Sequence, residues 1–271
     1  MNKLPKPEQD GLMIPDVGPQ SRDKHHFLWR YIDAFTTSMR EKWSLHYIDL
    51  FAGAGIERYR DTHELGWGSP LLSAQAPYQF RCIHCCEANL QKCDALRNRL
   101  TKLNTDQEPQ CLHGDANQRV NEIVAKINSS DTLTLAFLDP YGLHLHFSTL
   151  KALSSIRADL IIFFPDHLDA KRNWKTIYHD CPESNLDKVL GPHADWRSIF
   201  HNKPKPTWID ELRKMYESQI QKLGYKYFEY ERISVKQRPL YRLIYCSKNP
   251  IGLNIWRNVA RKKPNSQNTF W

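Results

Sequence analysis

The sequence has no long apolar run and no recognisable export signal. None of its 271 residues belong to an apolar stretch long enough to span a bilayer, so we expect no transmembrane helix. The first 22 residues are polar, contain several prolines and have no apolar h-region, which excludes a secretory signal. We therefore expect a flexible N-terminal arm over residues 1–23 and a cytoplasmic location.

A paired cysteine knuckle is also missing. Cys82 and Cys85 form a Cys-x-x-Cys motif followed by Cys86, but no second such pair follows. Strand alternation would also point Cys82, His84 and Cys86 to one face and Cys85 to the other. An odd number of cysteines, seven, without an export signal favours reduced thiols. We predict buried free cysteines and no metal site.

Internal repeats and low-complexity tracts are absent as well. The chain length suits one α/β domain with insertions, and 41% hydrophobic with 25% charged residues is ordinary for a globular protein. The charge is unbalanced, because 38 basic residues against 30 acidic ones give a net charge of +8. A basic surface favours polyanionic partners such as nucleic acid. The charge alone is equally consistent with a basic surface that has no such partner.

What is present is an alternation of strands and helices. It predicts a Rossmann-like, doubly wound and mostly parallel sheet with an antiparallel hairpin at its C-terminal end. The predicted strands are 45–51, 80–86, 110–113, 132–138, 159–164, 225–235 and 239–246. The predicted helices are 24–43, 89–103, 116–128, 207–222 and 252–262, plus one opening at Ser69-Pro70. We expect a single domain over 24–263, an irregular loop at 56–68, a partly helical insertion at 166–205 and a polar tail at 264–271.

The strongest local motif runs from Tyr47 to Gly55, Y-I-D-L-F-A-G-A-G. A buried strand delivers Asp49 and then a Gly-x-Gly turn, and glycine lets a backbone approach a ligand closely. The third glycine of a dinucleotide fingerprint is absent, since Arg58 stands there. The pattern resembles motif I of class I SAM-dependent methyltransferases more than an NAD site. We assign Asp49, Phe51, Gly53 and Gly55 to cofactor binding; the alternative is a plain tight turn.

Acidic residues follow the next two strands. Glu87 could accept hydrogen bonds from the ribose hydroxyls of an adenosyl cofactor. Asp115 could reach the adenine amino group, with the backbone amide of Ala116 beside it. Taken alone, Glu87 could equally be a surface acid, and Asp115 could be the N-cap of the following helix.

The second strong motif is Asp139-Pro140-Tyr141-Gly142, after an apolar strand. It resembles the D/N/S-P-P-Y tetrapeptide of amino-methyltransferases, and a D-P-F-G-like variant resembles that of tRNA guanine-N2 methyltransferases. Asp139 is the candidate for orienting a nucleophilic nitrogen and also borders the cofactor. Tyr141 is the candidate stacking platform. The alternative is a simple turn, because Asp-Pro and Tyr-Gly both favour turns.

Further substrate-binding candidates are histidines and arginines near these motifs or on the last helix. They are His144, His167, Arg257 and Arg261. Three tryptophans are candidate stacking residues: Trp174, Trp196 and Trp208. The histidines could equally be solvated or structural, and tryptophan is more often packed than stacked on a base.

Several pieces together resemble the three-Cys-motif partner proteins over roughly residues 24–260. The pieces are Lys24-His25, the 47–55 motif, Gly68-Ser69-Pro70, F-L-D-P-Y-G at 137–142, D-L-I-I-F-F-P at 159–165 and S-K-N-P-I-G-L-N-I-W at 247–256. Ala54 stands where that family often has proline. The resemblance implies a class I methyltransferase-like core and a protein partner, radical-SAM-like, that carries the three-cysteine motif. It does not imply a substrate.

Three functional hypotheses follow. The first is a methyltransferase that uses S-adenosyl-L-methionine (SAM) to N-methylate a base of a nucleic acid, tRNA or DNA. The second is a SAM-binding, non-catalytic subunit of the three-Cys-motif partner. The third is a metal-dependent nuclease using Asp139, Asp115 and Glu87, which leaves the glycine turn and Tyr141 unexplained.

Overall fold

The computed structural model describes residues 4–103, 108–127, 130–165, 179–192, 194–235 and 238–261. Its strands are β1 (Asp16–Val17), β2 (Ser44–Asp49), β3 (Ile56–Tyr59), β4 (Leu65–Trp67), β5 (Cys82–Glu87), β6 (Glu108–His113), β7 (Thr132–Leu138), β8 (Ala158–Phe164), β9 (Tyr227–Val235) and β10 (Arg238–Ser247). Its α-helices are α1 (Gln20–Met39), α2 (Ser69–Ala74), α3 (Leu90–Lys102), α4 (Ala116–Ala125), α5 (Phe147–Leu153), α6 (Asn185–Leu190), α7 (Trp196–Asn202), α8 (Trp208–Lys222) and α9 (Pro250–Ala260). A short 3₁₀ helix covers Lys205–Thr207.

Seven of these strands form one sheet in the order β6-β5-β2-β7-β8-β10-β9. The five strands from β6 to β8 pair in parallel, and β10 runs antiparallel to both β8 and β9. The chain reverses its direction across the sheet at β2, which lies between β5 and β7. This arrangement confirms the predicted doubly wound, mostly parallel sheet with an antiparallel C-terminal hairpin.

The core lies on both faces of the sheet, as alternation along each strand requires. In β7, Ala136 and Leu138 pack into one hydrophobic cluster, while Leu135 and Phe137 pack into the other. The helical side chains of the first cluster come mainly from α4, α5, α6 and α8. Those of the second cluster come mainly from α1, α2, α3 and α9. A layer of helices therefore covers each face of the sheet.

The N-terminal residues differ from the predicted flexible arm. Helix α1 begins at Gln20 rather than residue 24, and Asp16–Val17 pair with β3 as a short strand. The guanidinium of Arg99, a residue only 4% exposed, binds both carboxylate oxygens of Asp10 at 2.8 Å and donates to the carbonyl of Met13. A partly buried ion pair thus fixes a segment whose composition predicts mobility.

Two other segments also differ from the predictions. The loop predicted at 56–68 contains the β3–β4 hairpin, in which Ile56 pairs with Trp67. Helix α5 was not predicted.

In the insertion, the described part contains α6 and α7, while residues 166–178 and 193 lie outside the described residues, as does the tail after residue 261. Among the described residues, no helix combines the length and apolarity that a membrane span requires.

Candidate functional site

The predicted catalytic and cofactor-binding residues lie at the ends of four neighbouring strands or directly after them, at one edge of the sheet. β2 ends at Asp49, β5 at Glu87, β6 at His113 and β7 at Leu138, and all four strands are parallel. In open α/β sheets, ligands bind outside the carboxyl ends of the strands where the strand order reverses. The topology therefore brings both sequence motifs to the edge where such folds bind ligands.

The glycine turn after β2 is in contact with the acid after β5. The Gly53 amide donates to Oε2 of Glu87 at 2.8 Å. Gly53 has φ +64°, and a Cβ placed there would have no neighbour within 4 Å. The space over the turn is open, and any side chain at Gly53 would enter it. Gly55 differs, because a Cβ there would lie 2.9 Å from the Leu96 side chain and press on α3.

Both carboxylates of the candidate adenosine site also bind backbone amides. Oε1 of Glu87 accepts from the Asn89 amide at 2.8 Å. Oδ1 of Asp115 accepts from the Asn117 amide at 2.6 Å, so Asp115 is the N-cap of α4. Each carboxylate oxygen can accept a second hydrogen bond, so this N-cap role leaves the cofactor assignment possible. Ala116 is buried behind Asp115.

Asp49 is fully buried beneath the glycine turn. Its carboxylate accepts hydrogen bonds from the Tyr47 hydroxyl and the Phe51 amide, both at 3.3 Å, and interacts with the Ser69 hydroxyl. Burial, together with the nearby charge of Asp139, raises the pKa of Asp49 to about 7 against these hydrogen bonds. The three hydrogen-bond donors therefore offset only part of the desolvation cost of the Asp49 carboxylate, which favours its neutral form.

Lys24 belongs to the candidate site, although the sequence analysis names it only as part of the resemblance to three-Cys-motif partner proteins. Its ammonium forms an ion pair with Oδ2 of Asp139, and the side chains of the two are 11% and 16% exposed. The ammonium also lies 5.3 Å from the centre of the Phe163 ring. Burial acts to lower the pKa of Lys24, but the charges of Asp139 and Glu57 outweigh it and raise that pKa. A buried cation therefore contacts the acid of the second motif.

A second buried pair lies beside Lys24. Oε2 of Glu57, on β3, is 3.8 Å from Nδ1 of His25. Burial raises the pKa of Glu57 to about 7 although Lys24 opposes the shift, and burial lowers the pKa of His25 well below its ordinary value. Glu57 came from a segment predicted as an irregular loop, and no sequence motif marked it.

The D-P-Y-G turn presents its aromatic ring to solvent. Tyr141 is 93% exposed, whereas Pro140 is buried. The turn is braced from α4 by Asn117, whose side chain donates to the His144 carbonyl at 2.9 Å and accepts from the His146 amide at 3.0 Å. The brace holds the loop after Tyr141, so the ring extends from a fixed backbone.

Several predicted substrate-binding residues are placed elsewhere or engaged otherwise. The Arg257 side chain donates to Glu229 at 2.7 Å, and Arg261 is the C-cap residue of α9, where its backbone amide donates to the Arg257 carbonyl. The His144 side chain is exposed. Trp196 is fully buried with its indole N–H on Asp187, so it cannot stack on a base, and the Trp208 indole donates to the Lys203 carbonyl. His167 and Trp174 lie outside the described residues.

Two of the cysteines contact each other through their thiols. Cys93 and Cys111 have their sulfur atoms 3.2 Å apart, and all seven cysteines are free. Five are buried as predicted, but Cys111 is only partly buried and Cys181 is exposed. Within the described ranges, no group of three or more His, Cys, Asp or Glu side chains is arranged to hold a metal ion.

The comparisons with known proteins establish the fold of the chain and no more. No protein-family model matches the sequence, and no curated protein matches it. Protein LPL1258 from Legionella pneumophila strain Philadelphia 1, of the DUF519 family, has a similar structure, with TM-score 0.51 and 13% identity over 87% of this chain and 89% of that one. The resemblance to three-Cys-motif partner proteins stays a prediction.

Two methyltransferases are more distantly similar. Trm1 from Pyrococcus horikoshii, solved with SAM, has TM-score 0.44 and 10% identity over 94% of this chain and 64% of that one. Magnesium protoporphyrin IX methyltransferase from Synechocystis PCC 6803, solved with SAH, has TM-score 0.41 and 12% identity over 84% and 85%. With the strand order above, the LPL1258 likeness identifies the chain as an α/β protein with a Rossmann-like fold.

Proposed function

We propose that the protein is a SAM-dependent methyltransferase that methylates an amino group of a nucleic acid base, in tRNA or DNA. One observation carries the proposal. The Gly53 amide lies 2.8 Å from the Glu87 carboxylate, at the same sheet edge as Asp139 and Tyr141. The glycine turn contacts an acid that is placed to bind a ribose, and the D-P-Y-G motif lies beside it. This arrangement supports binding of the cofactor and the target in one place.

The residues present fit an adenosyl cofactor. The open space over Gly53 would receive the ligand, and Glu87 has acceptor capacity for two ribose hydroxyls. Asp115 and the Ala116 amide would face the adenine, and Asp49 with Phe51 would lie toward the methionine end. SAM would supply a methyl group on a sulfonium, ready for attack by a nucleophile.

The target would bind through the second motif. Lys24 binds Oδ2 of Asp139, which leaves Oδ1 to accept a hydrogen bond from an amine and aim its lone pair at the methyl group. Tyr141, with 93% of its surface exposed, would stack on the base. The net charge of +8 would attract the phosphates of a nucleic acid. Of the predicted contacts, His144 would lie on this outer surface, whereas Arg257 pairs with Glu229 on β9.

The ion pair also favours a second candidate, a SAM-binding partner subunit without catalytic activity. The Lys24 ammonium contacts the acid that would otherwise bind the target amine. If it excludes a substrate amine, the chain binds the cofactor and transfers nothing. Nothing comparable favours the nuclease, because Asp139 binds Lys24 and Glu87 binds two backbone amides.

Calorimetry with SAM tests the cofactor site. We expect the unchanged protein to bind SAM, and Glu87→Ala and Gly53→Val to lose at least tenfold in affinity, about 1.4 kcal/mol or more. Glu41→Ala removes an exposed acid at the other end of β2 and should leave binding unchanged. Absence of SAM binding by the folded protein would end both SAM-based candidates.

Methyl transfer then separates the two candidates. The protein is incubated with labelled SAM and total RNA or DNA. We expect label in nucleic acid, abolished by Asp139→Ala and reduced by Tyr141→Ala, while Tyr141→Ala keeps SAM affinity. The protein could instead bind SAM and transfer no methyl group by itself, with transfer only after a protein partner is added. That result would establish the partner subunit.

A further inference from the structure

A cavity of about 720 Å³ lies at the edge of the sheet opposite the candidate cofactor site. It is formed where β7 and β8 begin, where β10 ends and where α9 begins, with the last turn of α1 as one wall. The motif residues Gly53, Glu87 and Asp139 follow the other ends of the parallel strands. The cavity is therefore a separate site and not an extension of the first.

The floor of the cavity is apolar. Phe35 and Ile156 are buried there, and Leu133, Trp43 and Ile255 are partly buried. At the mouth, Ile251 is 53% exposed although it is a large apolar side chain at the start of α9. Apolar walls of this extent, in a volume typical of ligand pockets, favour a ligand with an apolar body.

Three cations surround the mouth: Lys42, Arg157 and Lys248. Arg157 stacks 4.3 Å from the Trp43 ring and donates to the Ser130 carbonyl, and Lys248 donates to the Ser154 carbonyl. These partners are neutral. Burial lowers the pKa of Lys248, which fits a cation set against an apolar wall. Among the described residues, no carboxylate forms a salt bridge with any of the three.

The acidic residue of the lining, Asp159, does not neutralise these cations. Its Oδ2 accepts from the Tyr31 and Tyr245 hydroxyls at 3.0 and 2.9 Å, and its Oδ1 accepts from Ser247 at 2.5 Å. Burial raises the pKa of Asp159 against these hydrogen bonds. The carboxyl is directed into the protein, and the mouth stays positively charged.

We propose that this cavity binds a small amphipathic anion, with its apolar body on the Phe35–Ile156 floor and its acidic group at Lys42, Arg157 and Lys248. The volume limits the ligand to a small molecule, and the apolar walls favour an apolar body. The cations without a carboxylate partner favour an acidic group. The proposal is independent of the methyltransferase assignment.

A pair of fluorescent probes tests it with the full chain. 8-Anilinonaphthalene-1-sulfonate has an aromatic body and one sulfonate, and N-phenyl-1-naphthylamine is the same body without the charge. We expect the sulfonate to bind at least tenfold more tightly, a difference of about 1.4 kcal/mol, because only it contacts the cations. Equal affinity for the two probes would overturn the proposal.

Variants locate the binding. Arg157→Gln combined with Lys248→Gln should weaken the sulfonate about tenfold and leave the neutral probe unchanged. Lys188→Gln, which removes an exposed cation outside the cavity, is the matched control and should change neither. Ser38→Trp, at an exposed position of α1 lining the mouth, should exclude both probes.

Competition separates the two sites. S-adenosylhomocysteine should not displace the sulfonate probe, and dodecanoate, a chain with a carboxylate, should. Displacement by S-adenosylhomocysteine would place the probe in the cofactor site and overturn the proposal, as would unchanged binding to Ser38→Trp. Circular dichroism of each variant confirms that its fold is retained.

Discussion

The two edges of the central sheet treat a buried carboxyl differently. At the amino-terminal edge, Asp159 receives hydrogen bonds from three hydroxyls. At the carboxyl-terminal edge, Asp49 also has three donors, whereas Oε2 of Glu57 accepts no hydrogen bond, and burial raises the pKa of each to about 7. Burial raises the pKa of all three carboxyls, so the edges differ in the hydrogen bonding of the buried acid: three hydroxyls hold Asp159, and none binds Oε2 of Glu57.

The edges also differ in shape and in the sequence motifs that they carry. The 720 Å³ cavity lies at the amino-terminal edge, while the glycine turn and the D-P-Y-G motif lie at the other. The proposed cofactor site and this cavity therefore lie at opposite edges of the sheet. The proposed cofactor site rests on the residues at the strand ends, and the proposed ligand of the cavity is a different molecule.

The largest effect is expected at Gly252, beside Asp159. A methyl group there would overlap the Tyr245 hydroxyl and lie 2.5 Å from Oδ2 of Asp159. Gly252→Ala should lower the free energy of unfolding by about 3 to 4 kcal/mol, through overpacking and loss of hydrogen bonds to a buried acid. Urea denaturation measures it, with exposed Asn254→Ala as control. A loss below about 1 kcal/mol would mean that the Asp159 network adapts easily.

The next effect concerns the Lys24–Asp139 pair. Lys24→Met leaves Asp139 and Glu57 without their buried cation and should cost about 2 to 3 kcal/mol of unfolding free energy. The double variant Lys24→Met with Asp139→Asn should recover part of that loss, because the unpaired charge is gone. Denaturation of the three variants gives the coupling, and strictly additive losses would contradict a structural ion pair.

Asp49 predicts a pH-dependent effect of smaller size. Its folded pKa of about 7 exceeds the ordinary 3.8, so between those values the unfolded chain loses a proton that the folded chain keeps. Stability therefore falls as pH rises from about 4 to 7 and stays low above that. Asp49→Asn should be more stable than the unchanged protein by about 2 kcal/mol at pH 8.5, and by little at pH 4.5.

Thermal unfolding at both pH values measures this effect. Asp94→Asn alters an exposed acid paired with Arg97 and should show no such difference between the two pH values. If Asp49→Asn gains no stability at pH 8.5 relative to pH 4.5, the carboxyl is ionised in the fold without penalty.

The sequence predicted what depends on local pattern and missed what depends on distant contacts. Strand alternation and the Gly53 and Pro140 motifs were enough to place the sheet and both motifs at one edge. Lys24 contacts Asp139 across 115 residues of sequence, and no local spacing records that contact. Asp10 likewise reads as part of a polar arm until Arg99, 89 residues away, reaches it.

The smallest expected change in stability, and the sharpest contrast with Gly252, is at Gly53. Here a methyl group meets no atom within 4 Å, so the only cost of Gly53→Ala is its φ of +64°, about 1 kcal/mol. Yet the methyl group would enter the space over the turn, and SAM affinity should fall at least tenfold. The same Gly-to-Ala change would thus cost stability at one edge and ligand binding at the other. Normal SAM affinity in Gly53→Ala, measured by calorimetry, would show that the ligand does not approach this turn.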